Sequence, residues 1–234
     1  MATLIRLNTV FNNNNLPVIP NILSGGLAAS FKPNLSFGLV DQSGNNTQLT
    51  KIGDPELDSD GLLCGDADGY RTNLQLNGNL TIVGVFKNSS DVQWALCGDR
   101  DADGSTGWAL YTQSGSLRFA CYRDSGSNTQ VEATSEHSTD GQFCAAVIRN
   151  DGIDLYQAEG GVLVKYSSAA SFASRPVNSS HYVGIGSVSY SSWADTIATA
   201  SEVTAYDKAL TESEINKAYE YSKAYFNKYT DMSI

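Results

Sequence analysis

Ser201-Glu202-Val203-Thr204-Ala205-Tyr206-Asp207-Lys208-Ala209-Leu210-Thr211-Glu212-Ser213-Glu214-Ile215 is the stretch on which the fold turns. Val203 and Ala205 alternate with polar neighbours, the period of a half-buried strand. Thr211 and Glu214 then have the spacing of a capping box. In that motif the hydroxyl accepts from the glutamate's backbone N–H and the carboxylate reaches back to the threonine's N–H. A helix over 211–229 follows, with Ile215, Ala218, Ser222, Phe226 and Tyr229 near a 3.6-residue period. A core strand running directly into a capped terminal helix is a closing element.

Upstream of that stretch the pattern is strand after strand. Leu80–Phe86 reads as a core strand, and Val92–Cys97, Trp108–Thr112 and Leu117–Tyr122 as a meander. Phe143–Ile148 and Ile153–Tyr156 flank Asn150-Asp151-Gly152, a hairpin signal. Ser36–Val40, Gln48–Ile52, Val162–Tyr166, Tyr182–Gly186 and Thr196–Tyr206 complete the series. Many short strands with one helix predict an all-β sandwich or jelly roll. Residues 1–25 read differently. Leu4–Leu7 suits a short strand, Asn12–Asn15 a loop, and Leu16–Pro20 an extended segment. The expected division is an N-terminal docking arm over 1–25 and one domain over 26–234.

The chain has 234 residues, 41% of them hydrophobic, enough for one sizeable core. Its formal net charge is −10 with only 15 Lys+Arg, and no basic cluster stands out. Nucleic acid and anionic membranes need a positive surface, so neither is an expected partner. The start lacks a basic segment followed by an apolar run, so no signal peptide is read, and no run is long enough to cross a bilayer. Asn-x-Ser/Thr sequons begin at Asn34, Asn45, Asn79, Asn88 and Asn178, as chance gives in so Ser/Thr/Asn-rich a chain. Cys64, Cys97, Cys121 and Cys144 are too widely spaced for a C-x2-C zinc site. Each lies in or at the end of an apolar run, which fits buried free thiols, with one cross-strand or cross-sheet disulfide as the alternative.

The ordered series of motifs resembles the laminin-G-like domains of the concanavalin A-like lectin/glucanase superfamily. The resemblance runs through Leu62–Tyr70, Leu80–Phe86, Trp94–Asp99, Gly107–Tyr111, Gly115–Phe119, the Asp151-Gly152 hairpin and Tyr182–Gly186, and ends in the opening stretch. Two departures stand out. Phe143 occupies the usual place of a tryptophan, and Tyr156–Gly160 replaces a Tyr-x-Asp-Gly turn. The resemblance implies a concanavalin A-like jelly-roll β-sandwich with a C-terminal α-helix. It also implies non-catalytic binding of a cell-surface glycan. The short arm and single domain resemble small bacteriophage virion proteins, tail or capsid-surface components made in the host cytoplasm. A homo-oligomer exposed on the particle is then expected. A structural virion protein that binds other subunits and no sugar is the alternative, and a glycan hydrolase the third reading.

Three constellations could carry chemistry. Asp99, Asp101 and Asp103 alternate before Gly104, so their carboxylates can converge on one Ca²⁺, whereas Leu110 at the twelfth position rules out an EF-hand. A solvated acidic turn is the competing reading. Asp54, Glu56, Asp58, Asp60, Asp66 and Asp68 form a second acidic cluster. Gly61 stands where a glucanase-type run would place its last glutamate, which favours a surface loop over a catalytic pair. The third constellation is aromatic. Tyr190 and Trp193 beside Asp195, in a serine-rich loop, suit stacking on a sugar ring and acceptance of its hydroxyl protons. Tyr122, Arg123 and Asp124 form a companion set, and the ligand expected from the acidic surface is a neutral or cationic glycan. Trp108 and Tyr111 lie on opposite faces of one strand, so at least one belongs to the core.

Overall fold

A computed structural model describes residues 23, 25–33, 38–65, 67–88, 94–99, 106–124, 127–134, 138–172, 182–186, 198–230, 232 and 234, without the side chains of 88, 123, 124, 127, 134 and 138–140. The described strands are β1 (Leu27–Phe31), β2 (Leu49–Ile52), β3 (Glu56–Leu57), β4 (Leu62–Cys64), β5 (Gly69–Thr72), β6 (Leu80–Asn88), β7 (Trp94–Gly98) and β8 (Trp108–Gln113). They continue with β9 (Ser116–Asp124), β10 (Ser127–Thr134), β11 (Ser138–Arg149), β12 (Gly152–Glu159), β13 (Val162–Ala169), β14 (Gly184–Gly186) and β15 (Ala198–Tyr206), followed by helix α1 (Glu212–Tyr229). One sheet of eight strands runs β13-β12-β11-β6-β15-β4-β3, with β1 also on β15. The other, of seven, runs β10-β9-β8-β7-β14-β5-β2. All pairings are antiparallel. This is the all-β sandwich with a terminal helix that the strand pattern predicts.

The opening stretch lies at the centre of the first sheet. β15 pairs with β6 along one side, and with β4 and then β1 along the other. Its register slips between Ala200 and Glu202, leaving Ser201 as an extra residue. Side chains alternate with period two, so an inserted residue swaps the faces. Ala198 and Ala200 before the bulge, and Val203 and Ala205 after it, therefore all join the core between the sheets. Glu202, Thr204 and Tyr206 turn to the opposite face.

That opposite face is not solvated, and here the half-buried expectation needs correction. All nine residues of β15 are buried. The cover is α1, whose Ile215, Ala218, Tyr219, Tyr225 and Phe226 form a second core with Val83, Val85, Phe143, Ala145 and Val147 of the sheet. Phe143 fills its site by packing on Tyr219, ring centroids 5.0 Å apart. The capping box is present: Glu214 N donates to Thr211 Oγ1 at 3.3 Å and Thr211 N donates to Glu214 Oε2 at 2.8 Å. Thr81 ties the preceding turn to β6, donating to Lys208 O and accepting from Leu210 N.

Between the sheets, Gly84 of β6 allows close approach: a Cβ there would stand 2.5 Å from Leu96 Cδ2 of β7. The hairpin turns follow their chemistry. Ser114-Gly115 and Gly160-Gly161 take φ of 51°, 78°, 56° and 82°, as tight two-residue turns between twisted strands require. Gly160-Gly161 is thus the turn that stands in for Tyr-x-Asp-Gly, while Tyr156 stays within β12.

One strand expectation changes and one strand is added. The described part of Ser36–Val40 is not a strand. Gly38 has φ 68°, and the loop is organised by the Asp41 carboxylate, which accepts from the N–H groups of Ser30, Ser43 and Thr47. β10 has no apolar run in the sequence and is not anticipated by it. Only Val131 and Ala133 reach the core, and the rest of this edge strand is polar. Of the arm, residues 1–22 and 24 lie outside the described residues, and Leu23 packs against the helix-side core.

Candidate functional site

The outer face of the seven-stranded sheet lies away from α1, and its described centre is buried: Ala95, Ala109, Tyr111 and Ala120 are 3%, 1%, 4% and 1% exposed. Leu117, Phe119 and Cys121 of β9 point into the inter-sheet core, so Arg118, Ala120 and Tyr122 lie outside. Their partners across β10 are Glu132, Gln130 and Asn128, all three exposed. On β8, Trp108 is in the core, and Tyr111 lies on the outer face with Ala95, Ala109 and Ala120. Small residues make up the floor, and polar groups stand at its β10 margin.

Arg118 organises that margin. Its Nη1 donates to Gln113 Oε1 at 2.7 Å and its Nη2 meets Glu132 at 3.3 Å. Its Nε is buried with no hydrogen-bond partner. Beside it, Tyr111 Oη donates to Gln130 Oε1 at 2.9 Å. A planar guanidinium clamped by an amide and a carboxylate is held in one orientation. Such a row of fixed donors and acceptors suits a polyhydroxylated ligand. Arg118, Gln113, Gln130 and Glu132 are not picked out by the sequence, because polar residues alternating along a strand or at its end look like any solvated surface.

Tyr122 is on this face, but it is 7% exposed and is no open stacking platform. Arg123 and Asp124 continue β9 beyond it, and their side chains are outside the described set. Asp99 follows β7 at the same end of the sheet. Its N donates to Trp108 O at 3.0 Å, and its Oδ1 accepts from Trp108 N at 2.9 Å. Asp101 and Asp103 lie outside the described residues. So do Tyr190, Trp193 and Asp195. The flanks of that last loop are described. β14 runs antiparallel to β7, Gly184 opposite Gly98, so Gly186 points away from Asp99. Ala198, at the far flank, pairs with Cys64. Gly186 and Ala198, the described flanks of that segment, lie toward the end of the sandwich opposite Asp99 and Tyr122.

The second acidic cluster resolves into local structure. Asp58 Oδ1 accepts from the N–H groups of Asp60 and Gly61, Asp60 pairs with Lys87 at 2.7 Å, Asp54 with Lys51, and Asp68 Oδ1 accepts from Asp54 N. Among the described residues no group of three His, Cys, Asp or Glu side chains is placed to hold a metal ion.

Buried charge lies elsewhere, under α1. Lys32 and Glu202 pair at 2.5 Å with 3% and 5% of their side chains exposed. Burial pushes the Lys32 ammonium below its usual value, and the Glu202 carboxylate opposes that shift. On the same sheet Asp154 is buried against Arg149, Lys165 and Ser167. Burial alone would raise its carboxyl, but hydrogen bonds from Arg149 and Ser167 and the two nearby cations hold it below the ordinary range.

No family model matches this chain, and no curated protein does. Among solved structures the fold recurs. The receptor-binding domain of botulinum neurotoxin C/D mosaic serotype superposes with a TM-score of 0.65 at 15% identity, covering 83% of this chain and 51% of that one. The serotype D ligand-binding domain, solved in complex with N-acetylneuraminic acid, gives 0.65 at 14% over 84% and 51%. The serotype C1 binding domain gives 0.64 at 12% over 83% and 51%. This chain thus spans about half the length of each.

Proposed function

We propose that this protein is a non-catalytic carbohydrate- or cell-surface-binding module. The observation that carries the reading is the Arg118 cluster, a fixed polar row whose Asn128, Gln130 and Glu132 are exposed at the margin of a lectin-like sandwich. The shared fold supports it, since the similar domains are receptor-binding ones and one was solved with a sialic acid. The proposed contact surface is Arg118, Gln130, Glu132 and Asn128, with the Tyr190–Asp195 segment as a second candidate contact. A glycan array tests this. Binding by the parent chain should fall about tenfold or more in Arg118→Ala, a loss of roughly 1.4 kcal/mol. Trp193→Ala should weaken it similarly if the loop takes part. An array on which the parent chain binds nothing overturns the proposal.

Display on a bacteriophage particle is the finer part of the proposal, supported by the sequence resemblance, and immunogold electron microscopy of purified particles tests it. Calcium at Asp99, Asp101 and Asp103 is a further part. Asp99 commits one carboxylate oxygen to Trp108 N–H, so an ion there must draw on the other two residues. Binding to the folded state alone raises Tm. We expect a higher Tm in millimolar-scale calcium than in excess chelator, and superimposable curves reject the ion.

A further inference from the structure

The sheet orders end on β13 and β3 in one layer and on β10 and β2 in the other. Shortness, bulges and charge are the devices that keep an edge strand from recruiting another strand. β2 has four residues and β3 two, while β10 slips register at Ser127/Asn128 and exposes Asn128, Gln130 and Glu132. β13 is neither short nor bulged. All eight of its residues, Val162–Ala169, pair with β12 without a slip, no proline interrupts it, and no strand lies beyond it among the described residues.

Charge does not guard this edge either. Lys165 is the one charged residue of β13, and its ammonium is drawn back over β12, 3.3 Å from the buried Asp154 carboxylate and 5.6 Å from the centre of the Tyr156 ring. Ser167 Oγ donates to Asp154 Oδ1 at 2.6 Å on the same face, and Tyr166 Oη donates to Glu159 Oε1 at 2.6 Å on the other. These side chains reach toward the sheet and leave its free edge clear. The Gly160-Gly161 turn sets which backbone groups line that edge. A two-residue turn makes Glu159 and Val162 a hydrogen-bonded pair, and such pairs alternate along an antiparallel ladder. Val162, Val164, Tyr166 and Ser168 therefore bond β12, and the N–H and C=O groups of Leu163, Lys165, Ser167 and Ala169 face outward.

The N-terminal arm has the sequence to fill that edge. Thr3, Ile5, Leu7, Thr9 and Phe11 alternate with Leu4, Arg6, Asn8 and Val10, a run rich in strand-forming residues. None of the 25 Asp+Glu residues lies in residues 1–22, where Arg6 is the one charged side chain, so the arm is drawn to the acidic remainder of the chain. The arm's own β13 is badly placed to receive it. Leu23 packs on the helix-side core and leads into β1, and β15, β6, β11 and β12 separate β1 from β13. At about 4.8 Å per strand that is roughly 24 Å, with α1 lying over β6 and β11 in between.

We propose that residues 3–11 of one copy add as a strand to the β13 edge of a second copy, and that reciprocal exchange closes a two-fold dimer. Residues 12–22, at about 3.3–3.6 Å each when extended, reach roughly 36–40 Å, enough to bridge two adjacent bodies.

Hydrogen exchange of the full chain, read residue by residue by NMR, tests this. Where light scattering shows a dimer, the amides of Leu163, Lys165, Ser167 and Ala169 should exchange roughly tenfold or more slowly than in protein diluted to monomer. A full chain carrying Ile5→Asp/Leu7→Asp, which alters no described residue, should be monomeric, with the same four amides fast at every concentration. Ser167→Pro and Ala169→Pro each remove an outward N–H and none that bonds β12, and each should also abolish the dimer. Should a proline chain not fold, the exchange data and the Ile5→Asp/Leu7→Asp chain decide. Four amides that exchange freely in the full chain, or a dimer that survives Ile5→Asp/Leu7→Asp, overturn the proposal. Protection that does not change on dilution places the arm on its own β13 and overturns the exchange between copies.

Discussion

At the scale of single residues, burial governs the chemistry. All four cysteines are free and buried, as the apolar runs around them suggest. Burial pushes the Cys64 thiol up to about 12, and raises Cys97 and Cys144 well above their ordinary value. The thiolate is the reactive species. Folded protein at pH 8 should therefore react with Ellman's reagent only as fast as it unfolds, and denatured protein should titrate four thiols. A fast-reacting thiol in the native state is the contrary result. The Lys32–Glu202 pair follows the same logic of burial but could not be read from sequence. Lys32 follows β1 and precedes a proline, and Glu202 alternates with apolar residues, so each looks solvent-facing from its own neighbours. They meet because two strands and a helix converge, and the nearest sequence signal is the small Ala218 and Ser222 on the buried helix stripe.

At the scale of elements, α1 is held at its start by a network that titrates. The Lys208 ammonium and the Thr211 N–H hold the Glu214 carboxyl down at about 2, against an ordinary 4.5. A depressed carboxylate contributes stability that is present above its unfolded value and lost as pH falls through the folded one. The window here is from 4.5 down to about 2. Glu214→Gln should lower Tm at pH 7, and its deficit relative to the parent should shrink as pH falls through that window. A deficit that stays constant would mean the carboxylate's charge contributes nothing. The capping box itself was legible, because it depends on residues three apart in the chain. β10 was not, because an edge strand of a sandwich needs only Val131 and Ala133 on one face.

At the scale of the molecule, the arm poses the open question of assembly. Asp207 N donates to Gly26 O at 2.8 Å, so the sandwich begins at the turn into β1. Deleting Met1–Gly25 removes the Leu23 contact and leaves every described strand intact. We expect the full chain to self-associate by light scattering, and the truncated chain to fold with a slightly lower Tm and remain monomeric. A truncated chain that does not fold would make the arm part of the core. By itself the sequence determined the class of fold, the terminal helix and its cap, the core strands and the tight turns. These follow from period, spacing and turn residues, which are local. Only the tertiary structure decided that β15 is buried on both faces, that Lys32 and Glu202 form a pair, and that Arg118 is clamped between Gln113 and Glu132. Those outcomes depend on strand order, on the bulge at Ser201 and on where the helix lies, and none of the three is encoded in the period of any one segment.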